Sequence, residues 1–197
     1  MEVGFSYHLI LVPIAYLLGS VPFGLMVARA MGGADPRSVG SGNIGATNVR
    51  RSAGKGAGII TLCLDFFKGF APVYVAWYLG AAPFALSLVA FAAVIGHVLP
   101  VFTRFKGGKG VATACGVFGA ISPGAAVLVV LSFVLIVAFK RYVSLGSIVG
   151  ASLMPVFLSL MPGTRHFTVV GVAVAVVIII RHRDNIKRLA AGTENRV

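Results

Sequence analysis

Acidic side chains are scarce in this chain: Glu2, Asp35, Asp65, Asp184 and Glu194 are the only five in 197 residues. They are scattered, so no carboxylate cluster of the kind that holds Mg²⁺ exists. Nor is there the Asp-rich run a metal-dependent phosphotransferase needs. Cysteine is rarer still. Cys63 and Cys115 both fall inside apolar runs, where such a residue acts as a small hydrophobe, and two of them make neither a disulfide framework nor a metal site. Charge of both signs amounts to 11% of residues, against about 25% in a soluble domain.

What is present is apolar. The chain is 58% hydrophobic with a mean hydropathy of +0.96. Residues 3–28, 69–103 and 111–139 carry no Asp, Glu, Lys or Arg, and each run reaches the ~20 residues that span hydrocarbon. The expected fold class is an all-α polytopic membrane protein, with residues 1–197 as one transmembrane domain. Met1-Glu2 opens without a basic region and no small-residue cleavage site follows a short core, so a cleaved signal peptide is not expected.

Apolar runs and breaks place helices near 6–29, 57–79, 84–103, 111–121, 125–139, 144–161 and 166–182. Three turns, "GAAP" at 80–83, "SPG" at 122–124 and "MPGTR" at 161–165, each contain a proline, which favours a break there. The remaining connections and the tail hold every Lys and Arg except Lys68 and Arg165. Basic residues gather in cytoplasmic loops, so the net charge of +12 marks membrane orientation, and no nucleic-acid partner is expected. Seven crossings, N-terminus out and C-terminus in, satisfy that rule, with six as the fallback if 111–139 is one helix. Seven crossings make 111–121 short, about 16 Å at 1.5 Å per residue. Gly146 and Gly150, spaced GxxxG, suit close helix packing.

With that topology four polar segments face the cytoplasm and are expected to form one site: "GSGNIGATNVRR" at 40–51, "FKGGKG" at 105–110, "SLGS" at 144–147 and "RHRDN" at 181–185. In the first, Gly40, Gly42 and Gly45 let backbone N–H groups turn inward around an anion. Ser41, Asn43, Thr47 and Asn48 add donors, and Arg50 and Arg51 add charge suited to bidentate phosphate contacts. No Gly-Lys-Ser/Thr closes the run, so it is not a Walker A. In the second, glycines flanked by Lys106 and Lys109 repeat the pattern. Two cradles imply two phosphate groups. His182 and Asn185, three apart, share a face if the last helix continues. Asp65 and Lys68, at i and i+3, read either as mutual neutralisation or as a functional intramembrane pair. His97 reads as a bonded core histidine. No His is followed four residues later by Asp as in the common glycerolipid acyltransferases.

At "GSGNIGATNVRR", "FKGGKGVAT" and "HRDN" the chain resembles the integral membrane acyl-phosphate:glycerol-3-phosphate acyltransferases of bacteria, over essentially its whole length. The resemblance implies transfer of a fatty acyl group from acyl phosphate to the 1-hydroxyl of glycerol 3-phosphate, giving lysophosphatidic acid and phosphate at the cytoplasmic face of the cell membrane. It also implies no cofactor and no metal, with a soluble enzyme as possible supplier of the acyl phosphate. The first motif maps to Ser41, Asn43, Thr47, Asn48 and Arg51. The second maps to Gly107, Gly108 and Lys109, and the third to His182 and Asn185, with Ser147 a further candidate. The proton acceptor is either His182 or a substrate phosphate. The rival classes are a small transporter for an anionic solute, which would keep its polar groups at mid-membrane, and a lipid-recruiting protein, which would not need the hydroxyls and glycines between the charges.

Overall fold

The computed structural model describes residues 8–197. Among them nine α-helices follow one another: α1 Leu11–Ser20, α2 Phe23–Ala30, α3 Ala46–Tyr78, α4 Pro83–Val98, α5 Val111–Ile121, α6 Pro123–Lys140, α7 Val143–Leu160, α8 Thr168–Arg181 and α9 Arg183–Ala190. The expected start of the first helix at residue 6 lies outside the described residues. Backbone contacts divide the chain into two compact units, 1–117 and 118–197, the division falling inside α5.

Five stretches are long and apolar enough to cross a membrane: Leu11–Ala30, Ala46–Tyr78, Pro83–Thr103, Pro123–Lys140 and Val143–Leu160. Arg165–Arg181 with Arg183–Ala190, bent by 60° between them, makes a sixth if the pair is one span. The shorter apolar helix is Val111–Ile121. The multi-pass, all-helical reading therefore holds, and the run 111–139 is indeed two helices, broken at Ser122 with Pro123 opening the second. Pro123 has no N–H to lose at a helix start, which is why the break sits there. On α6 the only buried residues are Ala125 and Ala126, and Phe139 is exposed, as a lipid-facing helix requires.

In the first unit, Pro22 splits the expected helix 6–29 into α1 and α2. α1 lies on α4 at glycines. A Cβ on Gly19 would overlap the Ala93 carbonyl and one on Gly96 the Tyr16 carbonyl, so the two backbones touch, as small residues allow between membrane helices. His8 Nε2 donates to Leu79 O at 2.9 Å and Tyr16 Oη to Leu99 O at 2.9 Å, fastening both ends of this packing. α4 stops at Val98, short of the expected 103, because Leu99 precedes Pro100 and is pushed out of the helical region.

Three expectations are corrected here. Helix 57–79 is preceded by a further helical segment from Ala46, the two divided at Gly54, which is out of helical geometry (φ 88°, ψ 173°), so residues 46–51 of the first motif are helical and not loop. Their apolar side, Val49, joins Val27, Ala28 and Ala57 in a buried cluster with Ala53 and Leu64 against it. That tertiary support lets a segment holding Thr47, Asn48 and two adjacent arginines keep a helix its local sequence would not. The last helix does not run straight on through "RHRDN". The chain turns at His182 (φ −100°, ψ 7°) between α8 and α9. Finally, Cys63 is exposed on α3 where it was expected inside, and Cys115 is half-buried.

Candidate functional site

In the unit 8–117 the first motif is a turn closed by one carboxamide. Asn48 is buried, and its Nδ2 donates to Pro36 O at 2.6 Å, Asn43 O at 2.8 Å and Val39 O at 3.0 Å. Its Oδ1 accepts the Ser41 N–H at 3.1 Å. Gly40 (φ 56°) and Gly42 (φ 66°) take the left-handed backbone this turn needs. The Gly42 N–H goes to Val39 O at 3.0 Å, and the Gly45 N–H goes to Asn43 Oδ1 at 2.8 Å.

These bonds change the expected chemistry of the motif. The N–H groups of Ser41, Gly42 and Gly45 are engaged within the turn, as is the carboxamide of Asn48. The glycines serve the turn's shape, and a nest of those amides around an anion is not what the fold builds. What faces outward is side chain: Ser41, Thr47, Arg50 and Arg51 are exposed and Asn43 is half-exposed. Arg51 lies along Gly40, where a Cβ would meet its Cδ at 3.3 Å. Arg37, in the same connection, is held by Asp35 through bonds of 2.6 to 3.1 Å. Hydrogen bonds and charge from Arg37 hold the Asp35 carboxyl below its ordinary range.

The second motif hangs from a strained turn. Arg104 (φ 53°) and Phe105 (φ 62°) are consecutive left-handed residues without being glycine, a conformation costing about 1–2 kcal/mol each. The Phe105 N–H to Pro100 O (2.9 Å) and the Thr103 hydroxyl to Lys106 O (2.9 Å) hold it. Gly107 and Gly108 then pass against the end of α4. A Cβ on Gly107 would run into the His97 carbonyl, and one on Gly108 into the His97 ring. The Gly108 N–H is given to His97 O at 3.1 Å, so here too a loop amide is spent inside the protein. Lys109 is half-buried.

Beneath this loop α3 carries Asp65 and Lys68, both buried, with Lys68 Nζ 2.8 Å from Asp65 Oδ1. The internal pairing read from their spacing is present. It is larger than a pair, because Lys68 Nζ also donates to Val21 O at 2.9 Å and His97 Nδ1 lies 3.6 Å from Asp65 Oδ1. Thr113 Oγ1 lies 3.1 Å from that same His97 nitrogen.

In the unit 118–197, Glu194 organises the third and fourth segments. Its Oε1 accepts from Asn185 Nδ2 at 2.6 Å and from Ser144 Oγ at 2.8 Å, and its Oε2 from Arg188 Nε at 2.7 Å. Burial opposes the Glu194 charge, and the bonds from Asn185, Ser144 and Arg188 outweigh it, holding the carboxyl below the usual range. Glu194 was not among the expected site residues. The trace it leaves in sequence is its being one of five acids, nine positions from Asn185 with a Gly192 turn (φ 70°) between. Ser147 is buried and gives its hydroxyl to Val143 O at 2.9 Å within α7.

His182 and Asn185 are both buried in α9's first turn. His182 Nδ1 lies 2.8 Å from Ile178 O. A carbonyl only accepts, so Nδ1 carries the proton of that bond. The orienting group is thus a backbone carbonyl. Asp184, the carboxylate nearest in sequence, is exposed and 3.9 Å from Arg183. Each motif is therefore built within its own unit: Ser41, Asn43, Thr47, Asn48 and Arg51 about the first turn, Gly107 to Lys109 on His97, and Ser144, Asn185 and Arg188 on Glu194.

Against known proteins, the family model described as glycerol-3-phosphate acyltransferase matches residues 9–192. The glycerol-3-phosphate acyltransferase of Geobacter sulfurreducens is 50% identical over 96% of this chain and 97% of its own. That of Trichlorobacter lovleyi is 50% identical over 92% and 93%. The crystal structure of PlsY (YgiH), an integral membrane glycerol 3-phosphate acyltransferase, in its glycerol 3-phosphate form superposes with a TM-score of 0.92 at 44% identity, covering 98% of this chain and 96% of that one. Its lysophosphatidic acid form gives 0.90 at 43% identity, over 97% and 95%.

Proposed function

This chain belongs to the glycerol-3-phosphate acyltransferase family, and from that membership we propose how its residues divide the reaction. The enzyme acylates glycerol 3-phosphate, in keeping with a relative of this fold solved in glycerol 3-phosphate and lysophosphatidic acid forms. The proposed donor is an acyl phosphate and the proposed acceptor atom the 1-hydroxyl, with inorganic phosphate leaving. A soluble enzyme would supply the donor. The proposed setting is the bacterial inner membrane, one transmembrane domain with seven crossings, α5 the short one, and the chemistry at the cytoplasmic face.

The observation that carries the division of roles is the outward row Ser41, Thr47 and Arg51 on a turn whose own amides are already satisfied. Such a wall meets an anion with hydroxyls and a guanidinium, so phosphate is gripped by side chains and its position depends on the turn that Asn48 closes. Asn43 and the glycines at 42 and 45 shape that wall. Lys109, on the Gly107-Gly108 loop, supplies the point charge for a second phosphate, that of the glycerol 3-phosphate acceptor. Acyl phosphate is an activated mixed anhydride, so the glycerol hydroxyl attacks directly. The negative charge growing on the carbonyl oxygen is stabilised by Ser41 donating and by Arg51 or Lys109. His182, oriented through Nδ1 by a backbone carbonyl, takes the hydroxyl proton, and Asn185 and Ser147 position substrate groups.

Phosphate release by the purified enzyme in detergent, with palmitoyl phosphate and EDTA and with or without glycerol 3-phosphate, tests the donor. Acceptor-dependent release matched by lysophosphatidic acid supports it. Release with no lipid product refutes it. His182→Gln then divides the proton's route. Loss of turnover with normal substrate binding supports His182, while an unchanged chemical rate assigns the proton to a substrate phosphate, whose second pKa is near ~6.

A further inference from the structure

Four polar side chains sit buried together in the first unit and none is needed by the reaction as described: Asp65, Lys68, His97 and Thr113. We propose that they form a brace whose purpose is to position the loop Gly107–Gly110, which makes them positioning residues for the acceptor's phosphate. The proposal rests on the assignment of that loop, through Lys109, to substrate phosphate.

The connections run in one direction, from the interior of α3 to a loop amide. Asp65 and Lys68 form the 2.8 Å pair, and Lys68 is fixed from its other side by Val21 O at 2.9 Å and lies over the Phe23 ring. The Asp65 carboxylate and the Thr113 hydroxyl both address His97 Nδ1, at 3.6 and 3.1 Å. Gly69, next to Lys68, brings α3 against the backbone at Thr113, where a Cβ would overlap. Two groups thereby fix the orientation of the His97 ring. Gly108 rests on that ring without room for a Cβ, and its N–H is taken by the His97 carbonyl. On the loop's other side the chain enters through the left-handed Arg104 and Phe105, a conformation that persists only when its surroundings over-determine it. Helix packing alone would be served as well by apolar side chains, because a buried ion pair at best breaks even with an apolar replacement. The polar set is explained by what it holds in place.

The test uses Thr113→Val, which keeps the shape and removes the hydroxyl, and His97→Gln, which removes the ring under Gly108, with Lys109→Ala measured alongside. Steady-state kinetics against each substrate and melting in detergent are the readouts. The expected result for Thr113→Val is a KM for glycerol 3-phosphate raised about fivefold, with kcat, donor KM and melting temperature nearly unchanged. His97→Gln should raise the acceptor KM further. Unchanged acceptor KM in both variants overturns the brace, and so does a fall in kcat or melting temperature with both KM values unmoved, the signature of a structural role. If Lys109→Ala raises the acceptor KM and the other two do not, the brace fails alone. If Lys109→Ala leaves it unmoved, the reading of the loop has failed and the brace with it.

Discussion

One carboxamide does the closing work in the first motif. Asn48 bonds the carbonyls of Pro36, Val39 and Asn43 and the Ser41 N–H, and so ties the turn 36–45 together. Asn48→Ala should cost about 2 kcal/mol of stability, since water reaches part of the turn and relieves part of the loss. It should also lower kcat/KM by about tenfold or more as Ser41 and Arg51 lose their setting. Asn48→Asp, nearly isosteric, should be worse than Ala in both melting and kinetics, because it sets a carboxylate against the same carbonyl oxygens. An Asp variant more active than the Ala variant would refute the closing role. From sequence Asn48 looked like one more donor to a ligand. An asparagine in a run of glycine and serine has the same local signature whether it faces solvent or its own backbone, and the carbonyls that decide the matter lie up to twelve residues away. Glu194 escaped for a related reason, as its three donors come from residues 144, 185 and 188.

Among helices, the breaks at Pro83, Pro123 and Pro162 were legible, while Pro22, which splits the first expected helix, and Pro100, which ends α4 early, were not read. The ends near 79, 121, 140 and 161 match the observed helices closely, because Ala82-Pro83, Ser122-Pro123 and the Pro162 turn interrupt apolar runs. The helix at 46–53 was not legible, since its support is Val49 set against α2. Close packing was legible only in part. Gly146 and Gly150 do face α6, but what they meet is side chain, Phe133 and Val129. The tighter crossings, at Gly19 with Gly96 in the first unit, carry no GxxxG spacing. Gly96→Ala should therefore destabilise by about 3 kcal/mol, because the backbone at Tyr16 cannot yield. Gly146→Ala should be nearly neutral. Phe133 can rotate, and the gain in helix propensity, up to about 1 kcal/mol, offsets the adjustment. Melting in detergent compares the two, and equal losses would show that both crossings are equally rigid.

For the molecule as a whole, composition alone was enough for the class, since few charges and long apolar runs leave no other way to bury this chain. The tie between its tail and α7 shows up in how stability depends on pH. Glu194 has a carboxyl held below its unfolded value, so the stability it contributes is complete above the ordinary glutamate range. It is lost as the pH falls through the lower folded value. Melting temperatures measured from about pH 5 down to about pH 2 should fall for the parent protein and fall less steeply for Glu194→Gln. Parallel slopes would mean that other groups govern the acid limb.

The contact between Lys68 and the Val21 carbonyl has a consequence in time as well as in space. Synthesis delivers Val21 first, then Asp65 and Lys68 together, then His97, so the ammonium leaves the ribosome with its carboxylate one turn away and the Val21 carbonyl already made. A charge that is costly in hydrocarbon thus never has to wait for its partners, and the order of the chain serves as a schedule for insertion.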